Sequence, residues 1–530
     1  YIFGAFLVYT AVRLVRDTDH SDDAENAVVR FARTHFRVTD KWDGLKLYVK
    51  DGGKRLMTPM FLVIVALSLT AIALLFPQDG IHLGKQLELR FVSKEELLAQ
   101  KEKVVVDITD AQHLADSLEA IESFPDAGQV EEQIIPDPGS IKQRLEWGSS
   151  GRASLNTFFA HLDSLTLTGG SMRIMHYGDS QIEADRMTSY LRDKFQRYFG
   201  GRGPGLVPVI SFSNPAGIKV TTQGNWEQYG LFGNLSGKGM TFGPLFSFAS
   251  MCKQPADSAM LDTTLSASAA FQAGSALYSN ARSFNRVRVF YSNSDPDATI
   301  TLEAGGEQMV RSLDTSHTMF TMPLGSFANT LSFTVQGNAS THIQGVSLES
   351  QSGVVVDNIP LRGSSGTIFT QGSRRMLADA YRAMGVDMFI LQFGGNVMPY
   401  IEDEQACINY GNWFASQIKY LKSIRPDAVF IVIGPSDMST KIGTEYVTYP
   451  LLPNVRDALR KAALQSGAAY FDLFEAMGGE NSMQAWVNAD PPLAAPDYTH
   501  FSSRGARLMG EMFYEALMSE YHQYKSDNGR

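Results

Sequence analysis

Three stretches far apart in the chain carry side chains of the kinds that acyl transfer needs. Gly178-Asp179-Ser180 follows directly on the apolar run Met172–Tyr177, and helix-type spacing resumes at Ile182, Met187, Leu191 and Phe195. A strand running into a helix there sets Ser180 at a strand's C-terminal end beside a helix N-terminus, where amides and the helix dipole favour developing negative charge. Asp179 and Ser180 are also good capping residues, and capping alone would explain them. Near the C-terminus lies Pro496-Asp497-Tyr498-Thr499-His500-Phe501. Asp and His three apart fit on one turn, so the carboxylate can hold Nδ1–H and leave Nε2 free to take a serine proton. A serine is a weak nucleophile until a base does this. Of the ten histidines, only His500 has an Asp at this spacing close to a sheet edge. The third requirement is a set of donors for the oxygen of a tetrahedral intermediate. The apolar run Met388–Phe393 ends in Gly394-Gly395-Asn396, which offers the Asn396 amide, and Val354–Asn358 leads to Gly363, which offers a backbone N–H. A tight turn would account for either glycine region by itself.

The elements that must hold these groups are legible from periodicity. Leu155, Phe158, Phe159 and Leu162 recur at helical spacing. Short apolar strands at Met172–Tyr177, Met388–Phe393, Ala428–Ile433 and Ala469–Leu473 alternate with helical stretches around 407–422, 451–466 and 503–520. That alternation predicts an α/β fold with a parallel sheet covered on both faces. Over 216–350 the texture changes to Gly, Ser, Thr and Asn with period-two runs at 286–291, 298–303, 331–336 and 343–349, as expected of an inserted β-sandwich. Without it, 150–215 and 351–522 leave about 238 residues, a reasonable size for one domain.

In this order the four blocks resemble the SGNH (GDSL) hydrolase superfamily: Gly178-Asp179-Ser180, then VVVDNIPLRGSSG with Gly363, then Gly394-Gly395-Asn396, then Asp497 and His500. The resemblance implies an SGNH-type three-layer parallel sheet. It also implies a triad of Ser180, His500 and Asp497, with an oxyanion hole of the Ser180 N–H, the Gly363 N–H and Asn396. Val397 departs from the pattern, standing where the superfamily usually has Asp. GDSQIEADRMT (178–188), GGRGPGLVP (200–208) and IGPSDM (433–438) are similar to a narrower group of bacterial envelope enzymes that act on O-acetyl groups of saccharides. Asp185, Arg202, Ser436 and Asp437 in these stretches are candidates for lining the substrate site, though each is equally suited to capping or solvation. His176 lies within a strand and reads as a hydrogen-bonded core histidine. No metal is expected, because HExxH, paired CxxC and calcium-loop patterns are all missing from the sequence, and GGRGPG lacks the Lys-Ser/Thr of a phosphate loop. No cofactor is expected either.

Met57 to Phe76 is twenty residues without a charge, about 30 Å of helix at 1.5 Å per residue, which predicts a transmembrane span. Lys50, Lys54 and Arg55 before it, with Gln78 and Asp79 after it, place the N-terminal side in the cytoplasm and the rest of the chain on the periplasmic or extracytoplasmic side. Within 1–66, AFLVYTAVRL, NAVVRFARTHFRVTD and GKRLMTPMFLVIV resemble the TerC family of integral membrane proteins. That family is associated with metal resistance or export, but neither apolar run here holds the Asp or Glu that a membrane ion path would need. Residues 1–56 therefore read as a fragment of such a protein serving as an anchor, and Tyr1, inside an apolar run with no initiator Met, reads as a cut start. Residues 77–149 are acidic and short of aromatics, as expected of a stalk with short helices at most.

Composition narrows the function. The chain has 530 residues, 44% of them hydrophobic, with 46 Lys plus Arg against 56 Asp plus Glu for a net charge of −10. A mildly acidic chain without a basic run is not a nucleic-acid binder. Two cysteines, Cys252 and Cys407, make no disulfide scaffold. The sequence thus predicts a membrane-anchored serine esterase that removes short acyl groups, acetyl above all, from an acylated saccharide. Saccharide O-acyltransfer by the same triad and a non-catalytic carbohydrate-binding role are the alternatives. Oligomeric state is not legible.

Overall fold

The computed structural model describes residues 46–61 (except 52, 53 and 59), 81–82, 88–89, 106–122, 141–148, 152–210, 217–232, 240–251, 264–293, 295–338 and 341–529. The chain divides into two compact units, 1–104 and 105–530. In the first, Tyr48–Asp51 pairs antiparallel with Lys54–Met57, and Ile81–His82 with Glu88–Leu89. The span expected over 57–76 lies outside the described residues beyond Phe61. Among the described residues, no helix is long and apolar enough to cross a membrane.

The second unit is built on a five-stranded parallel sheet. Its spatial order is Gly353–Pro360, Ser171–Gly178, Val386–Gln392, Val429–Ile433 and Ala469–Phe471. Numbered by chain position, that order is 2-1-3-4-5, so the direction of winding reverses between Ser171–Gly178 and Val386–Gln392. Open α/β sheets bind ligands beyond the strand ends at such a switch point. Side chains alternate across the sheet. Ile174, Met388 and Ile390 face helices Arg152–Thr168, Thr188–Phe199 and Ser503–Asp527, whereas Met175, Phe389 and Leu391 face helices Arg374–Met384, Glu404–Ile424 and Leu452–Gln465. Both faces are covered, which is why these strands read as unbroken apolar runs.

Two antiparallel sheets stack around a separate apolar core that includes Val287, Ile300, Phe333 and Val346. Leu265–Ala273 alternates buried and exposed residues along most of its length, as a sandwich strand should. The sandwich recruits chain earlier than the expected boundary at 216, because Gly205–Val207 pairs with Thr341–Glu349.

Part of the acidic segment expected to be a stalk is packed structure. Thr109–Glu122 is a helix whose Ala111, Ala115 and Leu118 enter the core beside Ser503–Asp527. Asp116 and Glu119 pair with Arg504, and Glu146 bridges to Tyr470 at the sheet edge. The acidic composition belongs to the outer face of this amphipathic helix, and the spacing of its small apolar residues carries the packing.

A buried ionic cluster joins sheet and sandwich. Arg173, on the strand that leads to Ser180, donates to both oxygens of Asp357 at 3.1 and 3.2 Å, to Ser347 Oγ at 3.0 Å and to Glu349. The other oxygen of Glu349 accepts from Arg286 Nε at 2.6 Å and Arg288 Nε at 2.7 Å. Burial pushes the Arg286 and Arg288 guanidinium groups down to about 10, with repulsion added by Arg173 on Arg286 and by Arg286 and then Arg173 on Arg288. Removing one partner of a buried pair strands the other charge, at a cost of about 3–5 kcal/mol. Arg173→Met should therefore lower the stability of the second unit by about that amount in urea denaturation; a loss below about 1 kcal/mol would show that the cluster is readily rehydrated.

Candidate active site

Strand ends bring three loops together at the switch point. Asp179 N donates to Gln392 O at 3.3 Å, Leu361 N donates to Gly178 O at 2.7 Å, and Asn396 Nδ2 donates to Ser364 O at 3.2 Å. The loops after Ser171–Gly178, Gly353–Pro360 and Val386–Gln392 thereby form a closed circuit that carries Ser180, Gly363 and Asn396. Gly363 sits at φ +76°, in the left-handed region that suits glycine, and a Cβ there would meet nothing within 4 Å. Gly394, at φ +131°, lies too close to Leu459 and Pro435 for any side chain.

The base comes from the other end of the sequence. Asp497 Oδ1 accepts from the amides of Thr499 and His500 at 3.0 and 2.9 Å, and Oδ2 lies 2.7 Å from His500 Nδ1. Local turns of this kind are what Asp favours. A carboxylate only accepts, so Nδ1 carries the hydrogen and Nε2 is left as an acceptor. Ser180 Oγ lies 2.7 Å from that Nε2. Burial works to raise the Asp497 carboxyl, but the His500 amide, the His500 ring and the Thr499 amide outweigh it and hold it below its ordinary value. Asp497 is thus ionised at neutral pH and able to steady a positive imidazole.

No family model matches the chain. A solved structure of a peptidoglycan O-acetylesterase is 19% identical, covers 72% of this chain and 99% of its own, and superposes with a TM-score of 0.55. The second unit therefore shares the fold of that esterase, a parallel sheet of the kind the SGNH-like blocks led us to expect. Curated relatives match a different region. The protein named "Putative membrane-bound redox modulator Alx" in Escherichia coli is 35% identical over 82 residues, and an uncharacterized membrane protein of Myxococcus xanthus is 33% identical over 82. The chain spans a quarter of the length of these relatives. This N-terminal similarity to membrane proteins fits the TerC-like motifs.

Within this fold the remaining predicted residues part ways. Ser436 stays near the centre, accepting from Gln181 Nε2 at 3.2 Å. Asp437 does not line a substrate site. It is fully buried, and it accepts from Thr448 Oγ1 and the Met483 amide, each at 2.7 Å, so it anchors the hairpin Ser439–Thr448 to the helix Ser482–Val487. Arg202 turns to the sandwich, reaching Ser283 Oγ at 3.3 Å and lying 5.1 Å from the centre of the Phe327 ring. Asp185 makes a buried two-point pair with Arg192 at 2.5 and 3.0 Å. Both line a cavity of about 60 Å³ that also touches Glu183, Leu206 and Arg362. His176 is a core histidine: it lies 3.0 Å from Gln392 Oε1 and 2.9 Å from Thr188 Oγ1, and burial lowers it to about 3.

One expectation fails locally. No α-helix begins at Ser180. Ser180–Asp185 is a short 3₁₀ segment broken at Glu183 and Ala184, and the α-helix starts at Thr188. Ala184 and Asp185 lie at φ +58° and +62°, a conformation stabilised by the Asp185–Arg192 pair. The α-helix dipole therefore does not act at Ser180. Sequence reading also passed over Gln181 and Arg186, although both lie within the GDSQIEADRMT stretch.

Asp179 caps the Ser180 turn by accepting from Gln181 N at 2.9 Å. Burial pushes its carboxyl up to about 6, against the Gln181 amide, the His500 charge and the Asn396 side chain. A carboxyl raised from 3.8 to about 6 favours the folded state when protonated, so its contribution is lost as pH rises from about 4 to about 6. Asp179→Asn keeps the capping oxygen and removes the titration. Relative to wild type, the variant should gain stability on the order of 3 kcal/mol across that window. Urea midpoints at a series of pH values test this, and a pH-independent difference contradicts it.

Proposed function

We propose that the chain is a serine ester hydrolase that removes short acyl groups, acetyl above all, from saccharides. The observation that carries the reading is a serine hydroxyl hydrogen-bonded to an imidazole whose other nitrogen is held by a carboxylate, at the switch point of a parallel sheet. Ser180 Oγ attacks the ester carbonyl carbon while its proton passes to His500 Nε2, and Asp497 steadies the imidazolium that forms. The tetrahedral oxygen is met by the N–H groups of Ser180 and Gly363 and by the Asn396 amide, which reaches it by releasing Ser364 O. Collapse expels the sugar oxygen, which takes the proton from Nε2 and leaves an acyl-serine. Water then attacks by the same route, giving the carboxylic acid and free Ser180.

The saccharide and the acetyl group follow the SGNH resemblance to envelope enzymes, and the structural neighbour named for peptidoglycan O-acetyl esterolysis supports them. The charge-free stretch 57–76 is the proposed membrane anchor, which the similarity to named membrane proteins supports, and the basic residues before it are the ground for placing the catalytic unit on the periplasmic side.

Ser180→Ala should abolish turnover of a nitrophenyl acetate while the urea midpoint stays within about 1 kcal/mol of wild type; undiminished turnover rejects the nucleophile. Asn396→Ala should lower kcat by about 10²–10³. Acetate released from acetylated glycans or peptidoglycan identifies the substrate, and transfer of acetyl to an added acceptor sugar would reassign the reaction as acyl transfer.

A further inference from the structure

His500 reaches Ser180 from a turn whose own acid and base are not buried, although Phe501 after it is in the core and Ser439 N donates to Tyr498 O at 2.9 Å. The side chains of Asp497 and His500 are 51% and 30% exposed, and 320 residues of chain separate the serine from the histidine. The Asp497 contacts lie inside the turn itself, so they shape it without setting its distance from the nucleophile.

Two side chains from the nucleophile's own loop cross that gap. Gln181 Nε2 donates to Thr499 O at 2.6 Å, and Arg186 Nη1 donates to Phe501 O at 3.0 Å. These are the carbonyls on either side of His500. The same guanidinium donates through Nη2 to the carbonyl of Ser180 itself at 2.8 Å and through Nε to Glu183 O at 2.9 Å. One rigid, planar fork therefore spans from the backbone of Ser180 to the residue after His500.

The kink explains how Arg186 can do this. On a continuous helix from Ser180, residue 186 would lie nearly two turns along and face away from the start. The left-handed pair Ala184 and Asp185 reverses the chain, and Asp185 is pinned to Arg192, whose Nε donates to Val356 O at 2.7 Å. The buried Asp185–Arg192 pair thus turns Arg186 back toward the serine.

We infer that Gln181 and Arg186 are positioning residues that clamp the backbone on both sides of His500 and thereby set the Ser180–His500 geometry. Neither touches the reacting atoms. The inference rests on the assignment of Ser180 and His500 as nucleophile and base. Misplacing a reacting group by about 1 Å can cost about 10²-fold in rate, so the clamp should act on the chemical step with little effect on substrate binding.

The test compares the wild-type chain with Gln181→Glu, Arg186→Lys and Arg186→Ala. Gln181→Glu keeps size and turns the donor facing Thr499 O into an acceptor; Arg186→Lys keeps the charge and loses the fork. Each is read by kcat and KM on nitrophenyl acetate, by the second-order rate of labelling with a fluorophosphonate, and by the urea midpoint. The expected result is a fall in kcat and in labelling rate by about 10- to 100-fold with KM within about twofold. Millimolar guanidinium ion should restore part of the Arg186→Ala activity and none of the Gln181→Glu activity, a rescue that a general loss of packing would not show. Folded variants that label at the wild-type rate overturn the clamp, as does a loss confined to KM. Should Arg186→Ala fail to fold, Gln181→Glu decides alone. A wild type inert to both reagents overturns the nucleophile assignment and the clamp with it, whereas a reactive wild type with equally fast variants overturns the clamp alone.

Discussion

A single buried guanidinium ties together the parts of the catalytic unit that must not move. Arg173 sits on the strand that delivers Ser180, Asp357 on the strand that delivers Gly363, and Glu349 on the sandwich. A charge out of water is tolerable only where partners satisfy it from several sides. The demand on Arg173 therefore becomes a demand on three elements at once. Asp357 also accepts from the Leu206 amide at 2.8 Å, just where the chain leaves the α/β layer for the sandwich. The inserted sheets are consequently seated on the enzyme layer by directional bonds as well as by apolar contact, and the register of two active-site strands is coupled to that seating.

The site itself illustrates how little a short motif decides. Asp314 and His317 stand at the same spacing as Asp497 and His500, and they fold the same way. Asp314 accepts from the His317 amide and from the ring Nδ1, each at 2.8 Å, on an exposed loop of the sandwich. Local hydrogen bonding makes this turn in both loops, whereas the same spacing at Asp110 and His113 lies in a helix. The difference is what faces Nε2: His317 meets Ser316 Oγ through Nδ1, whereas His500 presents Nε2 to Ser180 Oγ, because the parallel sheet carries Ser180 to the switch point and the loop before the last helix passes over it. Chemistry here is a property of the meeting, and neither turn has it alone.

The environment around Ser180 follows the same logic. Asp179 is a good capping residue by type, yet its burial beside His500 makes it a proton-binding group near pH 6. Gln181 and Arg186 are ordinary polar residues by type, yet Gln181 reaches the Thr499 carbonyl from the Ser180 turn, and a chain reversal at two left-handed residues aims Arg186 at the Phe501 carbonyl.

The sequence by itself determined the elements and their chemistry. Period-two and helical spacing placed the parallel strands and the sandwich strands, and four glycine- or turn-rich blocks named Ser180, Gly363, Asn396, Asp497 and His500, because strand periodicity, glycine's tolerance of positive φ and the Asp turn are short-range properties. Tertiary structure decided what long-range geometry controls. It selected between two equivalent Asp–His turns, broke the helix expected at Ser180 by burying Asp185 against Arg192, and sent Asp437 and Arg202 to structural partners. It also drew residues 109–122 out of an apparent stalk into the core. Each of these depends on which groups lose water together, and that is set by residues hundreds of positions apart meeting in space.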